Sequence, residues 1–316
     1  MTVALVTGAT GQDGSYLVER LLAEGATVHG VVRPGDDDAA DGWTPHSVDL
    51  ADRDGLRRLV AAVAPDELYN LGGLSSVARS WAEPEAAAEL SGLAPLALFD
   101  AALAVQDRTG RPVRVVQASS AEIFGHPDRV PQDETTPVAP RNPYGAAKAL
   151  AHHLAAVYRE RGLHVASCVL FNHESPRRPE TFVTRKITRG AARIALGIED
   201  RLLLGNLDAR RDWGWAPDYV DAMVRAARHA GAGDWVVATG RAHSVADFAR
   251  TALVHAGVED WERHVAVDPA LLRPGDAPEL VGDPGRAERE LGWVRTHDFE
   301  ALVGAMVAHD LAVAGA

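Results

Sequence analysis

Tyr144 and Lys148 stand four residues apart in a stretch that reads as the start of a helix, so the phenol and the ammonium share one face. A lysine beside a phenol favours the phenolate, which would let tyrosine act as a base far below its ordinary ~10. Alone, this spacing also describes an ordinary exposed helix pair. It gains meaning from Ala118-Ser119-Ser120 upstream, at the carboxyl end of a predicted strand, where ligands sit in open parallel sheets. Ahead of both, Thr7-Gly8-Ala9-Thr10-Gly11-Gln12-Asp13-Gly14 lies between an apolar run and a helical pattern. Glycines at such a point permit a tight turn, close backbone approach to a pyrophosphate and close helix–strand packing, with the helix N-terminus facing the phosphates. A plain tight turn is the bland alternative. Beside a bound nicotinamide, a Ser–Tyr–Lys set is suited to oxidising an alcohol.

The end of the second strand usually selects the cofactor, an acid binding the ribose 2′-hydroxyl and a base accepting a 2′-phosphate. Arg33 stands there and favours NADP, with NAD as the alternative because Asp36, Asp37 and Asp38 follow at once. Asp49, after the third short strand, is read either as an acceptor for the adenine amino group or as the N-cap of the next helix.

These residues need a scaffold that brings turn ends together. Apolar runs at residues 3–7, 28–32, 46–50, 68–71, 113–116 and 165–171 alternate with helical patterns at 12–24, 56–63, 86–105 and 146–161. That rhythm predicts an α/β fold: a Rossmann-type doubly wound parallel sheet, whose doubly buried strands explain the unbroken apolar runs. After Asn172 the rhythm weakens. A helix is expected over residues 182–196, with Arg185, Lys186, Arg189 and Arg193 as a basic side, and one more strand at 235–238 is expected to return to the sheet. Ser244-Val-Ala-Asp247 reads as a capping box. The expected division is a nucleotide-binding lobe of residues 1–171 plus about 212–260, and a smaller, discontinuous α/β substrate-binding lobe of about 172–211 and 261–316.

The 316 residues carry a net charge of −12, a field that repels nucleic acid and anionic lipid, so neither is an expected partner. No uninterrupted apolar run reaches the ~18 residues of a membrane span, and no basic segment precedes the first apolar stretch as in a secretory signal. A single cysteine, Cys168, suits a reducing cytoplasm, and the 13 histidines show no metal-ligand spacing.

The glycine turn, the serine and the Y-x-x-x-K pair resemble the extended short-chain dehydrogenase/reductase superfamily. Within it, the chain resembles the GDP-mannose 4,6-dehydratase family. The matching stretches are residues 7–17, 68–72, Asn142-Pro143-Tyr144, 170–178, 182–187, 204–207 and Arg211-Asp212-Trp213-Gly214. The resemblance implies that Tyr144 takes the proton of the sugar 4-hydroxyl during oxidation at carbon 4. Glu122 then removes the carbon-5 proton and helps expel the carbon-6 hydroxyl as water, and the hydride returns to carbon 6. Glu122 lies in Ser119-Ser120-Ala121-Glu122, where Ser120 takes a threonine position and would hydrogen-bond the carbon-4 oxygen.

The resemblance further implies cofactor contacts at Gly8, Gly11, Gln12, Asp13, Gly14, Arg33, Asp49, Leu71, Tyr144 and Lys148. It implies contacts to a GDP-sugar at Ser75, Asn172, Lys186, Arg211, Arg273 and Asp276. The chain departs from the pattern at Leu74 and Ser76, which replace glutamine and histidine, so either the hexose is a variant one or Ser75 alone contacts it. Asp276 stands where the family has glutamate, and the loop after the second strand is cut to Arg33. That loop helps join dimers into tetramers, so a homodimer is expected and a tetramer stays open. A nucleotide-sugar 4-reductase or epimerase would need Tyr144 and Lys148 but not Glu122, and a non-catalytic nucleotide-binding protein would need none of the four.

Overall fold

A computed structural model describes residues 1–35, 41–271 and 279–315. Asp36–Asp38, Arg273 and Asp276 therefore lie outside the described residues. The apolar runs form β1 (Val3–Thr7), β2 (Thr27–Val32), β3 (Thr44–Ser47), β4 (Glu67–Asn70), β5 (Arg114–Ser120) and β6 (His164–Leu170). Between them run α1 (Gln12–Ala23), α2 (Arg53–Val63), α3 (Val77–Ala82), α4 (Pro84–Ala88), α5 (Ala94–Thr109) and α6 (Pro143–Glu160). β7 (Asn172–Glu174), α7 (Val183–Ala195), β8 (Leu202–Leu204), β9 (Arg210–Trp215), α8 (Ala216–Arg228) and β10 (Asp234–Val237) follow. The chain continues through β11 (Ala242–Ser244), α9 (Val245–His255), β12 (Val265–Val267), β13 (Glu279–Leu280), α10 (Gly285–Leu291) and α11 (Phe299–Ala314).

Seven strands make one parallel sheet in the order β10-β6-β5-β4-β1-β2-β3. This is the doubly wound arrangement, extended by β10, which pairs with β6 as the apolar run at Trp235 predicts. Both faces of its centre are buried: Leu5, Val6, Leu68, Val115 and Val116 have no exposed surface. One core lies between the sheet and α1 and α8, another between the sheet and α2 and α5. The order reverses at β1 and β4, so the turns after these strands open at the same end of the sheet, where a ligand crevice forms.

A third core, apart from the sheet, joins α7, α9 and α11 with Trp213 of β9. Residues 242–255, placed with the nucleotide-binding lobe from sequence, pack here instead: β11 pairs with β9, and Phe248, Ala252 and Leu253 are buried against α7 and α11. Short apolar positions after β10 do not reveal which core they join. Ser244 and Asp247 do form the capping box that starts α9. The helix over 86–105 is longer than its pattern, running from Pro84 to Thr109 through a π turn at Glu89–Leu93. By length and composition it could cross a bilayer, yet Ala97, Leu98, Phe99 and Ala102 are fully buried in the protein, as in a core helix. The third strand begins earlier than its apolar run, as the edge segment Thr44-Pro45-His46-Ser47.

Candidate active site

Backbone geometry fixes the turn after β1. Gly8 takes a left-handed conformation (φ +69°), and a Cβ there would lie 3.0 Å from the backbone of Gly72. At Gly14 a Cβ would lie 2.0 Å from the Gly8 carbonyl oxygen, so only glycine lets α1 approach β1 this closely. Gly11 is the N-cap of α1 and supplies no capping side chain. The first-turn N–H groups therefore suit an anionic ligand, and the turn fits the pyrophosphate of a dinucleotide. Arg33 is exposed one residue beyond β2. Asp49 is exposed two residues beyond β3, and its carboxylate accepts from the Ala51 N–H at 2.9 Å. The N-cap of α2 is Asp52, which removes that reading of Asp49.

A buried polar relay aligns the strand ends. Thr7 Oγ1 accepts from the Gly72 N–H at 2.9 Å and donates to Asn70 Oδ1 at 2.7 Å. Asn70 Nδ2 donates to Gln117 Oε1 at 2.7 Å, and Gln117 Nε2 donates to the Ala118 carbonyl at 2.9 Å. The relay thus holds Leu71-Gly72 after β4 and the end of β5 in fixed relation. Its Ala118 carbonyl also accepts from Lys148 Nζ at 2.8 Å.

Tyr144 and Lys148 lie on the first two turns of α6, both buried, with the ammonium 5.8 Å from the phenol ring centroid. The expectation that lysine lowers the tyrosine pKa is corrected here. Burial pushes the Tyr144 phenol up to about 12, a hydrogen bond with Ser120 pulls it down, and the charge of Glu122 adds to the rise. Burial also pushes Lys148 down to about 8, against a pull upward from Asp13. Desolvation disfavours the charged form of both groups.

Ser120 caps the turn at Ala121–Ile123 and Glu122 lies within it, with Ser120 Oγ accepting from the Glu122 N–H at 3.3 Å. This turn packs directly on the start of α6: a Cβ on Gly145 would lie 2.5 Å from the Glu122 carbonyl oxygen. Asn142, the N-cap of α6, accepts from the Gly145 N–H at 2.8 Å and donates from Nδ2 to Glu122 Oε2 at 2.7 Å. Ser120, Glu122, Tyr144 and Lys148 are therefore brought together at one end of the sheet. Asn142 was missed as a functional residue; its place before Pro143 signals a helix cap, but nothing local signals its hold on Glu122.

The side chains of Gln12 and Asp13 are engaged on the other side of the turn, which leaves their backbone N–H groups for a ligand. Asp13 Oδ2 pairs with His173 Nε2 at 2.8 Å, and Gln12 Nε2 donates to the His173 carbonyl at 3.1 Å. Asn172 starts β7 and pairs with Trp213 of β9, so it and Arg211 lie on neighbouring strands. Lys186 is exposed in the first turn of α7. The expected basic side of this helix is smaller than its sequence: Arg185 is buried in an ion pair with Asp310, while Arg189 pairs with Glu180 and Arg193 with Glu199. Ser75 is exposed, Leu74 is buried, and Ser76 serves as the N-cap of α3. Asp212 was also missed. Its buried carboxylate takes hydrogen bonds from Thr239, Gly240 and Gly282, which fixes the strand that carries Arg211.

Comparison with known proteins gives a consistent result. A family model described as GDP-mannose 4,6 dehydratase matches residues 5–306. GDP-mannose 4,6 dehydratase 1 of Arabidopsis thaliana is 42% identical over 328 residues, covering 99% of this chain and 90% of that protein. The GDP-mannose 4,6-dehydratase of Vibrio cholerae serotype O1 is 41% identical over 354 residues, covering 98% and 93%. The structure of the UDP-glucose 4-epimerase of Thermus thermophilus in complex with NAD superposes with a TM-score of 0.84 at 28% identity, covering 98% of each chain.

Proposed function

Because this chain belongs to the GDP-mannose 4,6-dehydratase family, we propose that it is a lyase converting GDP-D-mannose to GDP-4-keto-6-deoxy-D-mannose. The observation that carries this reading is the carboxylate of Glu122, tied by Asn142 to the start of the helix that bears Tyr144 and Lys148. A bound nicotinamide cofactor supplies a reversible two-electron acceptor. Tyr144, in its ionised form, accepts the proton of the sugar 4-hydroxyl, and Ser120 hydrogen-bonds the oxygen at carbon 4 as it becomes a ketone. The ketone acidifies carbon 5. Glu122 takes that proton and delivers a proton to the departing carbon-6 hydroxyl, so one carboxylate acts first as base and then as acid. Reduction at carbon 6 and reprotonation at carbon 5 complete a reaction with no net oxidation.

NADP is the cofactor proposed, with Arg33 beyond β2 as the group for the 2′-phosphate. Asp49 is proposed for the adenine amino group, and Ser75, Asn172, Lys186 and Arg211 for the nucleotide sugar. Arg273 and Asp276 belong to the same proposed set but lie outside the described residues. A homodimer is proposed, supported by Leu150 and Val157, which are 40% and 54% exposed and seven residues apart on one face of α6. The cytoplasm is the proposed location, in keeping with a single buried thiol at Cys168.

The test is mass spectrometry of the product from GDP-mannose, with Glu122→Gln beside the wild type. Loss of one water by the wild type and none by the variant, with cofactor binding retained, is the expected outcome. Undiminished loss of water by Glu122→Gln would remove Glu122 from the mechanism, and no loss of water by the wild type would favour the 4-epimerase or reductase reading.

A further inference from the structure

The first turn of α1 presents two surfaces. Its backbone faces the glycine turn, while its side chains grip the segment from β7 toward α7. His173 Nδ1 lies 2.7 Å from the Phe171 carbonyl, an acceptor only, so Nδ1 carries a hydrogen. Nε2 faces the Asp13 carboxylate at 2.8 Å, and although burial works against charge on the ring, the carboxylate holds its pKa above the ordinary histidine value. Around this pair, Ser175 Oγ donates to Gln12 Oε1 at 3.0 Å, and the His173 ring stacks on Tyr219 at 4.5 Å. Nearer the surface, the Arg177 guanidinium lies over the Tyr16 ring at 4.0 Å and donates to Ser15 Oγ at 3.0 Å.

The far end of this segment is equally fixed. Glu174, the residue after His173, is buried and accepts from Thr184 Oγ1 at 2.7 Å in the first turn of α7. Arg178 approaches the same carboxylate oxygen at 3.2 Å. A continuous line of bonds therefore runs from the pyrophosphate turn through Asp13 and His173 to Asn172, Glu174 and the helix start that carries Lys186.

We propose that Asp13 and His173 are positioning residues that couple the two ligand sites. Filling the dinucleotide turn fixes β7 and the start of α7 in the arrangement that receives the nucleotide diphosphate, so the two ligands bind with positive cooperativity. The inference rests on the proposed function only in taking the turn as the cofactor site and β7–α7 as the nucleotide-sugar site. A coupling of this kind is a property of two binding equilibria and is reciprocal.

The experiment is isothermal titration of the full chain with GDP, alone and with saturating NADP⁺, and with NADP⁺, alone and with saturating GDP. The wild type is expected to gain about fivefold or more in each affinity when the other ligand is present. In Asp13→Asn and in His173→Gln the gain should fall to about one, while GDP alone binds within about threefold of the wild type; the coupling factor is what the pair is proposed to supply. Arg177→Ala, a change at the exposed end of the contact, is expected to lower the gain partially and covers the case in which a buried variant fails to fold. Equal affinities with and without the second ligand in the wild type, or full coupling in any folded variant of the pair, would overturn the inference. If the wild type binds neither GDP nor NADP⁺, the functional reading itself falls; if it binds both independently, only the coupling does.

Discussion

Asn142 allows the role of a helix cap to be separated from the proposed support of Glu122, because one side chain makes both contacts. Its Oδ1 accepts from the Gly145 N–H, and its Nδ2 donates to Glu122 Oε2 at 2.7 Å. Asn142→Asp keeps the cap, since aspartate and asparagine cap about equally well. It removes the donor and sets a carboxylate against Glu122. A hydrogen bond to a charged group contributes about 1.5–3 kcal/mol, so the loss corresponds to a fall in kcat of roughly 10- to 100-fold if Glu122 must hold this orientation. Asn142→Ala loses the cap as well, at about 0.5–2 kcal/mol of stability. Initial rates of 4-keto sugar formation, beside chemical denaturation of all three proteins, give the comparison. The expected pattern is an Asp variant with near wild-type stability and a large rate loss. Wild-type kcat in a stable Asp variant would refute the argument, as would rates that simply follow stability across the series.

Gly14→Ala places a methyl 2.0 Å from the Gly8 carbonyl oxygen. It should weaken NADP⁺ binding beyond detection in a fluorescence titration, or cost about 1–3 kcal/mol of stability where the turn yields to accommodate it. Lys148 gives a pH prediction. Its folded value of about 8 lies below the ordinary 10.5, so between these limits the unfolded chain binds more protons and stability rises with pH. Relative to Lys148→Met, the wild type should therefore gain roughly 2–3 kcal/mol between pH 7 and pH 10, read by urea denaturation, and a constant difference would contradict the burial argument.

The parts of this molecule that are legible in its sequence are those set by neighbours along the chain. The apolar runs of the sheet, the glycines of the turn, and the Ser244–Asp247 cap each depend on spacings of a few residues. What escaped depends on partners far away in sequence. The basic side of α7 was drawn from helical spacing, which tells which residues share a face but not that Asp310 waits inside for Arg185. The resemblance gives Asp13 as a cofactor contact, and its place in the turn does not show that its carboxylate pairs with a histidine 160 residues later. The Asn142–Glu122 contact and the Thr7–Asn70–Gln117 relay are likewise invisible until the strands are in register.

The same limit applies to the tyrosine and lysine. Spacing makes them look like a self-sufficient unit in which the ammonium draws out the phenol proton. The fold buries both, and burial works against charge on each, with Tyr144 held at about 12 and Lys148 at about 8. Against that burial, the hydrogen bond with Ser120 and the charge of Arg178 lower the phenol, while Glu122 raises it through its negative charge. Glu122 thus opposes the ionised phenol that the proposed first proton transfer needs, while the proposed elimination requires its carboxylate. Glu122→Gln removes that opposing charge and the base together. Oxidation at carbon 4 should then proceed at least as readily as in the wild type and halt before water is lost. Mixed in stoichiometric amounts with NADP⁺ and GDP-mannose, the variant should build up the near-ultraviolet absorbance of reduced nicotinamide, which the wild type returns to baseline. No absorbance change in a variant that binds both ligands would mean that Glu122 acts before oxidation, and the order of roles assigned to Tyr144 and Glu122 would have to be reversed.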